Sequence, residues 1–140
     1  MPIHQIKIIE GDPSSGKLKL SDGGDSRVNT RDTVTWILDP GTEVDSITAI
    51  KRKKFSLGIF KTGPEAQTGS SNWIGGVNGI PYVTYNYSIS WKGTDGLNHV
   101  HDPKISVKPT GFALFKIILM VVGIFFGLFS LKFLHKKKEL

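Results

Sequence analysis

From Ile117 to Leu131 the chain runs 15 residues without a charged side chain, and the most polar member is Ser130. A bilayer-crossing helix needs about 20 apolar residues, and the flanks supply the rest. Phe112–Phe115 lie before Lys116, and Phe133 and Leu134 lie beyond Lys132. Both lysines fall near the ends, where their stems run along a helix and carry the ammonium to the headgroups. Residues 112–134 are therefore expected to form one transmembrane helix, followed by a basic tail at 135–140 and preceded by a short linker at 109–111. Gly123 and Gly127, four apart, would lie on one face of that helix and let a second helix approach closely.

The remaining residues, 1–108, amount to one ordinary domain. The net charge of +6 is unevenly placed, because residues 111–140 hold five lysines against Glu139 alone. That excess belongs to the membrane flanks and is not the basic face of a nucleic-acid binder. The absence of cysteine excludes disulfides, zinc–thiolate sites, iron–sulfur clusters and cysteine nucleophiles.

Residues 1–108 read as strands and turns. Val83, Tyr85, Tyr87, Ile89 and Trp91 alternate with polar or smaller partners across Tyr82–Trp91, the period of a half-buried strand. Asp32–Leu38 is a second strand, with Val34, Trp36 and Leu38 on one face. Ile3–Ile9, Lys17–Leu20, Asp45–Lys51, Phe55–Phe60 and Lys104–Lys108 are shorter candidates. Asp12-Pro13, Asp22-Gly23-Gly24, Asp39-Pro40-Gly41, Asn78-Gly79 and Asp95-Gly96 supply turns between them. Residues 61–80, rich in Gly, Ser and Thr around Trp73, read as a long loop. About seven short strands in such a length point to an all-β, Greek-key β-sandwich, of cupredoxin-like or immunoglobulin-like type.

Three stretches resemble the cupredoxin-like sandwich over roughly residues 3–108: Asp-Thr-Val-Thr-Trp at 32–36, Tyr-x-Tyr-x-Ile at 85–89 and Asp-Pro-x-Ile-x-Val at 102–107. The resemblance implies the fold. It does not extend to the family's copper chemistry. Where copper-binding members place the first histidine, this chain has Glu43, Val44 and Asp45. The thiolate that a blue-copper site requires is missing, and Met1 and Met120 are the only methionines.

Four groups of residues are candidates for function. His99 and His101, two apart in a strand, would point to one face and hold a metal with His4 or Asp95; the same pair also suits a turn or the edge of a core. Lys51, Arg52, Lys53 and Lys54 form the densest charge run, either a solvated hairpin or a patch that meets anionic lipid headgroups. Trp73 is a candidate platform for a partner, or a plug for the open end of the sandwich. Gly123 and Gly127 are the helix–helix candidates. No nucleophile elbow, phosphate-binding loop or acid/base carboxylate pair occurs.

The expectation is a single-pass, tail-anchored accessory protein without enzymatic activity or cofactor. Its partners would be membrane lipid and either a membrane protein or a second copy of the chain, met through the helix. A metal-binding module built on the His-x-His pair is the alternative. Lys136–Lys138 favour a cytoplasmic C-terminus, which places the domain outside. The N-terminus carries no signal-peptide pattern, which favours a cytoplasmic domain, and that side is preferred.

Overall fold

Inward-facing side chains alternate with polar ones along most strands of residues 1–108, and the two sets of inward faces meet. The computed structural model describes residues 2–109 and 118–127. It divides at Lys108/Pro109 into two compact units.

The first unit contains ten strands: β1 (Ile3–Asp12), β2 (Lys17–Leu20), β3 (Asp25–Asn29), β4 (Thr33–Leu38), β5 (Val44–Arg52), β6 (Phe60–Ala66), β7 (Trp73–Val77), β8 (Thr84–Gly93), β9 (Asn98–His101) and β10 (Lys104–Lys108). One sheet has the order β2-β1-β4-β7-β6. The other runs β3-β10-β8-β5, with β9 also on β8. Both sheets are mixed. β1 pairs with β4 in parallel, from Ile3 opposite Thr33 to Ile8 opposite Leu38. β3 pairs with β10 in parallel, from Asp25 opposite Lys104 to Asn29 opposite Lys108. The protein is thus a mostly-β, two-sheet, sandwich-like fold.

The core follows the alternation. Ile6 and Ile8 of β1, Val34 and Trp36 of β4, and Tyr85, Tyr87, Ile89 and Trp91 of β8 are all buried. Fully burying a side chain of this size contributes about 1.5–3 kcal/mol. Two indoles are anchored by hydrogen bonds as well as by area. Trp36 Nε1 donates to Tyr87 Oη at 3.2 Å, and Trp91 Nε1 donates to the Gly16 carbonyl at 3.0 Å. The second bond ties the β1–β2 turn to the opposite sheet, and β2 lies alongside β9 along that seam.

Three expectations are corrected. Residues 61–80 are not a long loop, because β6 and β7 form a hairpin there with a turn at 67–72. The glycines that suggest a loop are there to make room. A Cβ on Gly75 would lie 2.8 Å from Phe60 Cδ1, and one on Gly76 would lie 2.7 Å from Thr62 Oγ1. Trp73 accordingly begins a strand, opposite Trp36, and packs half-buried against the core. Finally, Phe55–Phe60 is not a strand. Residues 53–59 cross from the edge of one sheet to the edge of the other, and only Ile59 of the three alternating apolar residues Phe55, Leu57 and Ile59 is buried.

The second unit contains a helix over residues 118–127. No helix among the described residues is long and apolar enough to cross a membrane. Residues 112–117 and 128–134 of the expected span lie outside the described residues.

Candidate interaction surface

The register fixes which residues share each end of the sandwich. β8 runs antiparallel to β5 and β10, and β3 runs with β10. One end therefore collects the close of β3, β5 and β10 with the start of β8. In the facing sheet the same end holds the start of β1, β4 and β6 and the close of β7. Three crossover loops meet there: residues 30–32, 53–59 and 78–83. They are stitched to one another and to β10 by their own backbone. Arg31 N donates to the Asn78 carbonyl at 3.0 Å, Asn78 N to the Ile59 carbonyl at 2.7 Å, and Tyr82 N to the Val107 carbonyl at 2.8 Å.

The 53–59 loop is held by Ser56, which is buried. Asn86 N donates to Ser56 Oγ at 2.8 Å, and Lys53 N donates to the Asn86 carbonyl at 2.9 Å. With Ser56 turned inward, its neighbours Phe55 and Leu57 turn outward. Phe55 is 93% exposed and Leu57 67%. In the 78–83 loop, Ile80 is 59% exposed and Tyr82, with φ at 63°, is 69% exposed.

The four cations of the basic run do not share one environment. Lys53 Nζ pairs with Asp102 Oδ2 at 3.0 Å. Asp102 also accepts from Ser88 Oγ at 2.7 Å, and that bond chiefly holds its carboxyl below the usual range, with Lys53 adding to the effect. Lys54 Nζ stands 5.5 Å from the Phe55 ring centroid. Lys51 and Arg52 close β5 with exposed side chains. One charge of the run is therefore internally neutralised, and another lies over the apolar tip at Phe55. Beside it, Arg31 and Lys61 line a shallow groove of about 580 Å³ with Thr33, Thr62 and Asn78.

The histidines lie on the β2–β9 seam. His99 and His101 share the inward face of β9, both half-buried, yet they meet different neighbours. The His99 ring packs 4.4 Å from the Trp91 ring, and its Nε2 is 3.3 Å from Asp95 Oδ2. Burial lowers the His101 pKa below its ordinary value, with Asp102 and Asp22 raising it and Lys17 lowering it further. His4 joins neither. Its Nε2 donates to Ser26 Oγ at 3.0 Å, and Ser26 in turn donates to Asp22. Among the described residues, no group of three His, Cys, Asp or Glu side chains is placed to hold a metal ion.

The Asp22–Ser26–His4 chain has the residue types of a hydrolytic triad in the wrong order. A serine nucleophile needs the histidine as its base and the acid behind the histidine. Here the serine stands in the middle and is 1% exposed. These hydrogen bonds close the β2–β3 turn onto β1.

Gly123 and Gly127 lie in the helix over 118–127. Among the described residues, nothing beyond the adjacent residues and the helix's own backbone lies within 4 Å of a Cβ built on either one. Their neighbours Ile124, Phe125 and Phe126 are exposed. Phe55, Leu57, Ile80 and Tyr82 are absent from the expected site. The alternation of Phe55, Leu57 and Ile59 mimics a strand with one buried face, and nothing local to the sequence signals that Ser56 is the residue turned inward.

Comparison with known protein families and with curated proteins finds no match to this chain.

Proposed function

We propose that the chain is a membrane-anchored, non-enzymatic interaction protein that displays a β-sandwich at the bilayer surface. One observation carries this reading. The helix over 118–127 exposes Ile118, Leu119, Met120, Val121, Val122, Ile124, Phe125 and Phe126 around its whole circumference. A helix apolar all round belongs in lipid or inside a larger apolar core. The helix lies within an uncharged run of sequence from Ile117 to Leu131, and a span needs about 20 apolar residues. Gly123 and Gly127 offer that span a face for a second helix.

The finer fold assignment is the cupredoxin-like sandwich without copper ligands. Immunoglobulin sandwiches are built from two antiparallel sheets, whereas both sheets here include a parallel pair. The metal-binding alternative rests on the single His99–Asp95 approach and lacks a third ligand among the described residues.

Flotation tests the anchor. Full-length protein mixed with lipid in detergent, then dialysed into vesicles, is expected to float with them after alkaline carbonate washing. A variant ending at Lys108 is expected to stay in the aqueous fraction. Full-length protein that washes off at alkaline pH overturns the proposal.

A further inference from the structure

The charges of the sandwich are sorted by end. At the end built from loops 30–32, 53–59 and 78–83, the loops carry Arg31, Lys53 and Lys54, and Lys51, Arg52, Lys61 and Lys108 stand on the strands beside them. The only carboxylate in those three loops is Asp32, which is buried and accepts the Asn29 N–H at 2.8 Å. The opposite end holds the β1–β2 turn, the β4–β5 connection and the β8–β9 turn. It presents Asp12, Asp39, Glu43, Asp45 and Asp95 against Lys17 and Lys92 on the strands beside them. Asp12 is fully exposed, and hydrogen bonds from Ser14 and Ser15 hold its pKa down to about 2, so it stays ionised.

The basic end is also the apolar one. Phe55, Leu57, Ile80 and Tyr82 project from its loops, and Lys54 reaches back over the Phe55 ring. Aromatic and aliphatic tips ringed by lysine and arginine suit the boundary between acyl chains and anionic headgroups. The last strand, β10, closes at Lys108 on this end, and only residues 109–111 separate it in sequence from the apolar segment at 112–134. Four residues from Lys108 to Gly111 span at most about 14 Å.

We infer that this end docks on an anionic bilayer, with Phe55, Leu57 and Tyr82 entering the interface, the surrounding lysines and arginines on the headgroups, and the acidic end turned to water. The occupant is lipid rather than a protein partner because the basic residues, the apolar tips and the close of β10 coincide at one end. This inference rests on the anchored reading above and adds an orientation to it. Trp73, Lys92 and the β6–β7 turn lie away from the docking end, which leaves the acidic end and the sheet edges for any partner.

The chain has no cysteine, so single-cysteine variants report one position each. Full-length Phe55→Cys, Leu57→Cys and Tyr82→Cys are labelled with an environment-sensitive fluorophore and reconstituted into vesicles. The vesicles are phosphatidylcholine alone or mixed with phosphatidylglycerol. Leu97→Cys, about as exposed as Leu57 and Tyr82 but on the β8–β9 turn at the acidic end, is the control. In anionic vesicles the labels at 55, 57 and 82 are expected to shift to the blue and to be quenched by lipid-borne nitroxide, and the label at 97 is not. Lys51→Ala and Lys54→Ala are each expected to lower the docked-to-undocked ratio about fivefold. Salt at ~1 M, where the Debye length falls to about 3 Å, should weaken docking further. If the full chain floats but positions 55 and 97 respond alike, or position 55 responds only when a second protein is added, the docking inference fails and the anchor stands. If the full chain does not float, both fail.

Discussion

Replacing Tyr87 with phenylalanine removes one oxygen from the centre of the sandwich and leaves the packing otherwise intact. Tyr87 and Trp36 are both fully buried, and the indole Nε1 has the Tyr87 hydroxyl as its acceptor at 3.2 Å. The ring would keep its edge contact with Trp36 and its stack on Tyr85, whose centroids lie 5.9 and 5.3 Å away. The loss is therefore confined to the polar pair. A buried donor left without an acceptor costs about 1–3 kcal/mol. Some of that is offset because the cost of burying the Tyr87 hydroxyl is removed with it. A net loss of about 2 kcal/mol corresponds to a fall in Tm of roughly 8 °C or more for a domain of this size. Thermal melting followed by far-ultraviolet dichroism reads the shift. Trp36→Phe and the double variant complete a cycle, whose coupling should be about 1 kcal/mol because the double variant strands neither partner. A Tyr87→Phe protein melting within about 2 °C of the wild type would falsify the claim that this bond bridges the two sheets.

Other consequences can be checked in the same way. Gly75→Ala places a Cβ 2.8 Å from Phe60 Cδ1; it should destabilise by about 1–3 kcal/mol in denaturant titrations, and Phe60→Leu in the same chain should recover part of the loss. His101 is depressed below its ordinary value of 6.5 by burial, so the unfolded chain binds the proton first as pH falls below 6.5. Stability should then decline with acidification from that point down to the folded pKa, and His101→Gln should flatten this slope in melts taken across the range. Asp102, depressed mainly by Ser88, adds a second loss as pH falls through its own lower range. Gly123→Ile with Gly127→Ile keeps the segment apolar while holding neighbouring backbones apart, so membrane insertion should persist and crosslinked helix pairs should diminish; undiminished pairing assigns any association to the sandwich.

The parts of this fold that were legible in the sequence are those whose inward residues are large and apolar. β8 declares itself through Tyr85, Tyr87, Ile89 and Trp91, and β4 through Val34 and Trp36. β3 does not, because its inward residues are Ser26 and Val28 and the first of these is polar. β6 is an edge strand that is largely exposed, so it carries no alternation to read. β7 is masked by Gly75 and Gly76, whose missing side chains are what the Phe60 ring and Thr62 require. The basic run at 51–54 was visible as charge alone. Its pairing with Asp102, and the outward turn of Phe55 and Leu57 beside it, depend on β8 and on Ser56, which are contacts made across the fold. The inward pairing of His99 and His101 was legible from their spacing, but their separate partners, Trp91 and Asp95 for one and the Asp22–Lys17 neighbourhood for the other, were not.

Under the proposed reading, residues 112–134 cross a bilayer once and the sandwich stays outside it. A cysteine scan of that segment tests it most directly, since the native chain has no thiol of its own. Each single-cysteine variant is reconstituted into vesicles and exposed to a membrane-impermeant thiol reagent from either side. The account predicts one uninterrupted protected stretch of about 20 residues, with labelling from opposite sides at its two ends. Labelling that recurs every three or four residues, or both ends reached from the same side, contradicts it.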